Sequence, residues 1–357
     1  MRTRRGVGRY AVGRDELADL LASHGERPYR AQQVHDGLFV QRQPLEQLSS
    51  VSKALRAWLA DALPLALDAE VVETAADGRT TKWLWRAAGG AQVETVLMEY
   101  RERATVCVSS QAGCAMACTF CATGQAGFER HLGSAEIVEQ VLRAQHASSR
   151  RVSNVVFMGM GEPLANVDAV LESCTRLHDD VGISARHLTV STVGVVPGID
   201  RLGEFPLPVT LAVSLHAPDD ALRNELVPLN RRYPVADVID AARRYAARKG
   251  RRVTFEYACI AGVNDHGYQA DALAGRLTGL VGGAHVNLIP LNPTAGFTGR
   301  APDHDRIAAF AKRLGAHGVN ATIRRNRGVD IDAACGQLRA RHARGNRRAT
   351  ASAKMGL

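Results

Sequence analysis

The chain has 357 residues, enough for one large domain and a small accessory one, and its 46% hydrophobic content supports a sizeable core. No apolar run approaches the ~20 residues needed to cross a bilayer, and none follows the N-terminal arginines as a secretory signal would. We therefore expect a cytoplasmic protein with no membrane partner. The formal charge of +9 excludes an acidic protein and favours a polyanionic partner such as nucleic acid.

The N-terminal region changes character near residue 15. Residues 1–14 are rich in arginine and glycine and show no periodicity, which predicts a flexible basic leader. Apolar residues then recur at three- and four-residue spacing in three stretches, 15–21, 28–38 and 51–63. This pattern predicts three short helices that form an N-terminal accessory domain over residues 15–64.

A β-rich connector is predicted over residues 65–103, because the periodicity changes there from helical to alternating. Thr81–Arg86 and Val93–Met98 alternate polar and apolar residues, and Asp77-Gly78 and Gly89-Gly90 separate the alternating runs. Glycine-containing pairs between such runs are typical of β-hairpins. The connector should lead directly into a strand at residues 104–109.

From residue 104 to about 325, short apolar runs alternate with helical patterns, which predicts βα units around a parallel sheet. Ser134 is expected to cap the first of these helices. The pattern alone leaves open whether the sheet is doubly wound or curls into a barrel. Predicted strands lie at 154–158, 187–192, 209–215, 252–259, 285–289 and 319–324, and predicted helices at 167–178, 235–249, 268–278 and 303–314.

The last segment, residues 339–357, contains six arginines and lysines and no acidic residue. Such a segment is predicted to be a disordered basic tail. Because no aromatic residue interrupts it, any contact with RNA would be to phosphates and not to bases.

Three of the seven cysteines lie within eight residues, in the run Cys114-Ala-Met-Ala-Cys118-Thr-Phe-Cys121. An odd number of cysteines with this clustering argues against a secreted disulfide framework. Thiolates favour zinc, copper(I) or an iron–sulfur cluster, and a four-iron cluster held by three of them keeps one iron open for another molecule. A closed zinc site is the alternative, but it needs a fourth ligand and the next cysteine is Cys174.

The cysteine spacing resembles that of radical S-adenosylmethionine enzymes, and four flanking motifs narrow the match. The run VCVSSQAGC at 106–114, GFERHL at 127–132, GMGEPL at 159–164 and DIDAACGQ at 330–337 resemble the RlmN/Cfr family of RNA adenine methyltransferases. The resemblance covers roughly residues 25–338. It implies an α/β fold in which residues 104–338 form a partial (βα)6 barrel, with a small N-terminal helical domain and a β-hairpin extension.

The resemblance also implies a set of cofactor residues, most of which follow predicted strands, where functional groups of parallel βα folds gather. Cys114, Cys118 and Cys121 would hold one [4Fe–4S] cluster. S-adenosylmethionine would be bound by Gly161, Glu162, Ser191, Ser214, Leu215, His216 and Asn292.

Two further cysteines and a glutamate have implied catalytic roles. Carbon 2 of adenine is electron-poor, so direct methyl transfer to it fails and a radical route is required. By resemblance, Cys335 carries the methyl group, Cys107 releases the product through a transient disulfide, and Glu94 accepts the ring proton. Two molecules of S-adenosylmethionine are consumed per methylation. Cys174 and Cys259 lie in apolar patterns and are predicted to be core residues.

The implied substrates are an adenosine in the peptidyl-transferase region of 23S rRNA and adenosine 37 of certain tRNAs. An external one-electron reductant, flavodoxin- or ferredoxin-like, is the further implied partner. Within the family, Cfr-type methylation of carbon 8 is the alternative, because it uses the same five cysteines. The alternative of another class is a non-catalytic basic RNA-binding or zinc protein.

Overall fold

The computed structural model describes residues 8–325 and 327–338. Three helices are present near the N-terminus: α1 (Arg14–Ser23), α2 (Tyr29–His35), which continues as a π-helical turn, and α3 (Lys53–Ala62). They coincide with the three predicted helical stretches. The predicted tail at 339–357 and residues 1–7 of the predicted leader lie outside the described residues.

The described part of the leader is packed, contrary to the prediction of a flexible segment. Tyr10 and Val12 are each only 1% exposed. The guanidinium group of Arg176 donates hydrogen bonds to the carbonyl oxygens of both residues, and Arg9 donates to the carbonyl of Leu63. The prediction failed because two apolar residues in an arginine-rich context were not recognised as anchors.

The predicted connector forms three antiparallel strands, β1 (Leu67–Thr74), β2 (Thr80–Ala87) and β3 (Gln92–Glu99). Gly78 lies in the first turn with φ of 67°, and Gly89 and Gly90 lie in the second with φ of 79° and 85°. Positive φ is readily available only to glycine, which explains why these pairs mark the turns.

Strand β4 (Ala104–Cys107) joins this extension to the barrel, because it pairs antiparallel with β3 and parallel with β7 (Val152–Phe157). After β4 the chain forms a small two-stranded sheet of β5 (Gln111–Gly113) and β6 (Phe128–His131). The cysteine loop and the short helix α4 (Ala122–Ala126) lie between these two strands.

The barrel consists of six βα units and a final strand, all in one ten-stranded sheet of order β1-β2-β3-β4-β7-β8-β9-β10-β11-β12. Its strands from β4 onward are parallel. This confirms the predicted α/β radical-enzyme barrel. The elements after β6 are α5 (Ser134–Ala147), β7, α6 (Val167–Asp179), β8 (Leu188–Thr192), α7 (Val196–Glu204), β9 (Thr210–Ser214), α8 (Asp220–Leu226), α9 (Val235–Lys249), β10 (Val253–Cys259), α10 (Gly267–Leu277), β11 (Ala284–Pro290), α11 (His304–Ala316) and β12 (Asn320–Ile323).

Local details differ from the sequence pattern at three helices. Ser134 is the first residue of α5 and not its cap; Gly133 occupies the cap position, and its amide donates to the Glu136 carboxylate at 2.9 Å. Helices α7 and α8 were not predicted. Proline and glycine in the first turn of α7 conceal its pattern, and α8 has only seven residues.

The N-terminal helices and the barrel share one continuous hydrophobic cluster. Arg42, which is 6% exposed, crosses between them and donates to the carbonyls of Val152 and Val181. Cys174 and Cys259 are 0% and 1% exposed, which confirms their prediction as core residues. No helix in the described part of the chain combines the length and apolarity needed to span a membrane.

Candidate active site

The cysteine loop is tightly folded by its own backbone. The amide of Cys114 donates to the carbonyl of Gly127 at 2.8 Å, and the amide of Cys121 donates to the carbonyl of Cys118 at 3.2 Å. Gly124 packs so closely that a β-carbon there would lie 3.0 Å from the amide nitrogen of Cys118. The loop therefore presents its three thiols from a fixed turn.

The three thiols fit a cluster of several irons. Burial raises the pKa of Cys114 to about 12 and that of Cys118 well above its usual range, and the charge of Cys121 raises both further. Cys118 and Cys121 also pack in the same small apolar cluster. Among the described residues, no three His, Cys, Asp or Glu side chains converge on a single metal ion. A four-iron cluster is held through three different irons, and soft thiolates suit it. Binding must release the thiol protons.

A cavity at the carboxyl ends of the central strands, called the first cavity, brings most of the predicted cofactor residues together. Leu215 and Cys114 are the exceptions: Leu215 is fully buried in the main hydrophobic cluster, and Cys114 does not line this cavity although Cys118 and Cys121 do. The first cavity is lined by Cys118, Phe120, Cys121, Phe157, Met158, Gly159, Gly161, Glu162, Pro163, Ser191, Thr192, Val193, Ser214, His216, Glu256, Ala258, Ile289, Leu291, Asn292, Cys335 and Gly336.

Gly161 and Glu162 connect neighbouring loops at the floor of the first cavity. Gly161 has φ of 105°, and a β-carbon there would lie 2.6 Å from the β-carbon of Gln111. The two carboxylate oxygens of Glu162 accept backbone amides from Leu164 at 2.9 Å and Val193 at 2.8 Å. Burial nevertheless raises the pKa of Glu162 to about 7. The side chain of Thr192 also hydrogen-bonds this carboxylate, so three contacts hold it in place.

His216 is held as a neutral ring. Its Nδ1 accepts the amide of Ala258 at 3.0 Å, and burial, followed by the charge of Arg223, lowers its pKa to about 3. The ring proton is therefore on Nε2. Phe120 meets the ring edge to face, with 4.9 Å between centroids. The left-handed φ of 63° at His216 is strained for this residue type, as is common at functional sites.

Arg223 was not predicted as a site residue. Its hydrogen bonds hold the chain in place where β8 and β9 end. It is fully buried, and its guanidinium donates to the carbonyls of Leu215 at 2.9 Å and Val193 at 2.5 Å and to the side chain of Asn230 at 2.8 Å. A lone arginine in a polar stretch of sequence carries no signal that distinguishes it from a surface residue.

The loop that carries Cys335 is attached to the rim of the first cavity. The side-chain amide of Asn292 donates to the carbonyl of Cys335 at 3.0 Å, and the amide of Ala122 donates to the carbonyl of Gly336 at 2.7 Å. Protein surrounds Cys335, which raises its thiol pKa, yet the side chain is exposed to the cavities beside it. Asn292 thus positions the Cys335 loop as well as lining the cavity.

Cys335 also lines a second cavity, and Cys107 lines it too. The second cavity is formed by Val96, Met98, Tyr100, Arg103, Thr105, Cys107, Asn154, Val156, Met158, Thr189, Thr210, Ala212, Thr254, Glu256, Asn287, Ile289, Arg324, Arg325, Arg327, Ala333, Ala334, Cys335 and Leu338. Burial raises the pKa of Cys107, and the neighbouring charge of Cys335 raises it further. The structure therefore brings the two cysteines together from opposite ends of the barrel sequence.

Glu94 lies behind the second cavity on β3, two residues from Val96, whose strand partner is Cys107. It is 0% exposed and is not among the described residues that line either cavity. The ammonium group of Lys82, itself 1% exposed, lies 3.8 Å from the Glu94 carboxylate and 3.1 Å from that of Glu73. Nothing in the sequence indicated this buried lysine.

Comparison with known proteins assigns the class. Residues 108–272 match the model of the Radical SAM superfamily. The chain is also similar to a crystal structure of a radical SAM methyltransferase from Sphaerobacter thermophilus, with a TM-score of 0.88 and 48% identity over 94% of this chain and 99% of the other. The fold and the site define a radical S-adenosylmethionine enzyme, with the [4Fe–4S] cluster and S-adenosylmethionine that this class uses.

Curated relatives define the family. The chain is 48% identical to a probable dual-specificity RNA methyltransferase RlmN of Chloroflexus aurantiacus over 93% of each chain. It is 52% identical to that of Frankia casuarinae over 92% of this chain and 81% of the relative. The chain belongs to the RlmN family of radical S-adenosylmethionine RNA methyltransferases. The alternative of a non-catalytic RNA-binding or zinc protein is therefore rejected.

Proposed function

We propose that the enzyme methylates carbon 2 of adenine in RNA through a methyl-cysteine intermediate. The observation that carries the proposal is that Cys335 borders both cavities while Cys107 lines only the second. The proposed substrates are an adenosine in the peptidyl-transferase region of 23S rRNA and adenosine 37 of certain tRNAs. The dual-specificity names of the relatives support two kinds of RNA.

The first cavity would hold the cofactors. Cys114, Cys118 and Cys121 are the proposed cluster ligands, and S-adenosylmethionine would lie against the remaining lining. When reduced by an external flavodoxin- or ferredoxin-like protein, a bound cluster would supply the electron that cleaves S-adenosylmethionine to methionine and a 5′-deoxyadenosyl radical. Because Gly161 has no side chain, S-adenosylmethionine could approach the backbone closely there. Neutral His216 could donate a hydrogen bond to it from Nε2–H. The proposed contacts are Gly161, Glu162, Ser191, Ser214, Leu215, His216 and Asn292, with Leu215 contributing only through its backbone because its side chain is in the core.

Cys335 is the proposed methyl carrier. Its thiol must lose a proton to accept a methyl group from one S-adenosylmethionine, which would leave as S-adenosylhomocysteine. The 5′-deoxyadenosyl radical from a second would take a hydrogen atom from that methyl group and leave as 5′-deoxyadenosine. The resulting carbon radical adds to the adenine and joins RNA to the enzyme. The position of Cys335 between the cavities supports this role, because the methyl group must meet the cofactor on one side and the base on the other.

Release of the product requires a base and a second thiol. Glu94 is the proposed acceptor of the ring proton, and a small movement of β3 or of the base is needed to bring the two together. The thiolate of Cys107 would then attack the sulfur of Cys335, so that an S–S bond forms as the bond between that sulfur and the methylene carbon breaks. The electron pair of the broken bond stays on the methylene carbon, which takes up a proton to become the methyl group, and the unpaired electron of the adduct would pass back to the cluster. The external reductant would then return both cysteines to thiols. The proximity of Cys107 and Cys335 supports this step.

The cysteine roles are tested by trapping the adduct. The Cys107→Ala variant should accumulate RNA covalently joined to Cys335, whereas Cys335→Ala should yield no adduct, as seen by denaturing gel and mass spectrometry. Absence of the adduct from both variants would refute the assigned roles. Mass spectrometry of nucleosides from reacted rRNA and tRNA identifies the ring position, and methylation at carbon 8 would favour the Cfr-type alternative.

A further inference from the structure

Four arginines line one side of the second cavity: Arg103, Arg324, Arg325 and Arg327. Arg103 immediately precedes β4, whereas the other three follow β12, more than two hundred residues later. The extension of β1 to β3 lies at one edge of the sheet and β12 lies at the other. Together they bring the four arginines to one opening of the second cavity. We call this group the mouth arginines.

Two of the mouth arginines are held by one aromatic ring. The guanidinium carbon of Arg103 lies 4.6 Å from the ring centroid of Tyr100, and that of Arg327 lies 4.4 Å from it. Arg327 also donates to the carbonyl of Glu99 at 3.4 Å. Cation–π contact lets two like charges share a small volume without a carboxylate. Tyr100 therefore fixes both guanidinium groups beside the opening.

The four guanidinium groups at this opening outnumber the acid that lines the same cavity. None of the mouth arginines takes part in the ion pairs of the described residues, whereas Arg244 pairs with Asp200 and Arg313 with Asp271 on the outer helices. The one acid that lines the second cavity within the described chain is Glu256, which is 6% exposed and accepts a hydrogen bond from Asn287. Burial raises its pKa, and Asn287 and the charge of Arg324 offset part of that rise, so this acid faces one of the four arginines. The opening is a concentrated positive site.

The position of the charge indicates what it binds. In the proposed function, the target adenine must reach Cys335 and Cys107, so it enters the second cavity unstacked from its neighbours. An inserted base leaves its flanking phosphates at the opening, and the arginine fork matches phosphate geometry. We propose that the mouth arginines grip the RNA backbone on either side of the target adenosine. This inference rests on the proposed function and assigns its RNA contact surface.

The test measures how RNA affinity depends on salt. The Arg103→Gln and Arg327→Gln variants, singly and together, are compared with Arg244→Gln, which removes an arginine of the same charge from a distant surface. Dissociation constants for an RNA hairpin that contains the target adenosine are measured over a range of KCl concentrations. Each lost phosphate contact should lower the slope of log affinity against log salt by roughly 0.7–0.9.

We expect about tenfold weaker binding for each single mouth variant in low salt, and no change in slope for Arg244→Gln. Arg103→Lys should keep the slope while losing part of the affinity, because the charge remains without the fork. Circular dichroism verifies that each variant is folded. Slopes for the mouth variants equal to those of Arg244→Gln would overturn the proposal.

A second arm excludes an acidic reductant as the occupant. Electron transfer from a reduced flavodoxin is measured in the same variants, and loss of that transfer with unchanged RNA affinity would assign the surface to the reductant and refute our inference. RNA-independent methylation of Cys335 is followed in the wild-type enzyme by intact-protein mass spectrometry. Its absence would refute the proposed function, while the salt comparison would still report on the mouth arginines.

Discussion

The two cavities of this enzyme share Cys335 but are built in different ways. The first is shaped by backbone: Gly161 permits a close approach, Glu162 ties two loops through their amides, and His216 is held by the amide of Ala258. The second is shaped by side chains from remote segments, with arginines stacked on Tyr100. A small cofactor of constant shape suits the first construction, whereas a large polyanion suits the second.

Replacing a proposed cluster ligand should give the largest difference between the effect on cofactor chemistry and the effect on RNA affinity. In Cys118→Ser, iron and sulfide should not be retained and RNA methylation should be abolished, because the cluster needs all three thiolates. Affinity for the RNA hairpin should stay within twofold of wild type, since Cys118 does not line the second cavity. If Cys118→Ser loses RNA affinity as completely as it loses methylation, the two cavities do not form independently. Cys174→Ser, at a core thiol, is the control and should retain iron.

The stability of the strands behind the second cavity depends on the buried ammonium group of Lys82. Lys82→Met should lower the free energy of unfolding by about 3–5 kcal/mol, because the carboxylates of Glu94 and Glu73 lose their buried cation. Urea denaturation measures the change. Lys53→Met, at an exposed position, should stay within about 0.5 kcal/mol. If Lys82→Met is as stable as Lys53→Met, the buried pairs contribute no net stability.

Crowding the floor of the first cavity should affect the cofactor more than RNA. Gly161→Ala forces a β-carbon against Gln111 at a φ of 105° and should cost about 1–3 kcal/mol of stability. S-adenosylmethionine affinity, measured calorimetrically on the reconstituted enzyme, should fall at least about tenfold. Gly78→Ala, where a β-carbon meets no atom within 4 Å, is the matched control for positive φ. A loss of RNA affinity in Gly161→Ala without loss of cofactor affinity would contradict the division between the cavities.

The smallest expected effect per measured step is a pH dependence from His216, which accumulates over several pH units. Its pKa is lowered from 6.5 to about 3 in the folded protein, so the unfolded chain binds one more proton between these values. Stability should therefore fall as pH falls through this window, by up to about 1.4 kcal/mol per pH unit. His216→Asn can mimic Nδ1 and tolerates positive φ, and it should show a shallower acid dependence. Identical slopes for both proteins would show that His216 is not held neutral.

The first cavity was largely predictable because the family resemblance assigned its residues, and most of these residues follow predicted strands. Ser191, Ser214, His216 and Asn292 all line it as expected. Leu215 is in the core because neighbouring residues at a strand end point to opposite sides. Arg223 was not predicted because its partners include backbone carbonyl groups. Every residue type has such a group, so the sequence does not indicate the contact.

The second cavity was less predictable because sequence distance hides its contacts. The cysteine pair could be assigned only through the family resemblance, and nothing in the sequence relates Tyr100 to Arg327. The pairing of Lys82 with Glu94 depends on strand register, which alternation alone does not specify. Likewise, Tyr10 and Val12 are anchored by Arg176 from a helix far along the chain.

The main-chain link between the cysteine loop and the loop that carries Cys335 limits which substitutions could break it. Ala122 directly follows Cys121, Gly336 directly follows Cys335, and the amide of the first donates to the carbonyl of the second. Because this link is between main chains, only proline at position 122 would remove its donor. Other substitutions can therefore alter the side chains beside both cysteines, while the main-chain hydrogen bond would keep the proposed cluster ligand Cys121 and the proposed methyl carrier Cys335 at the same separation.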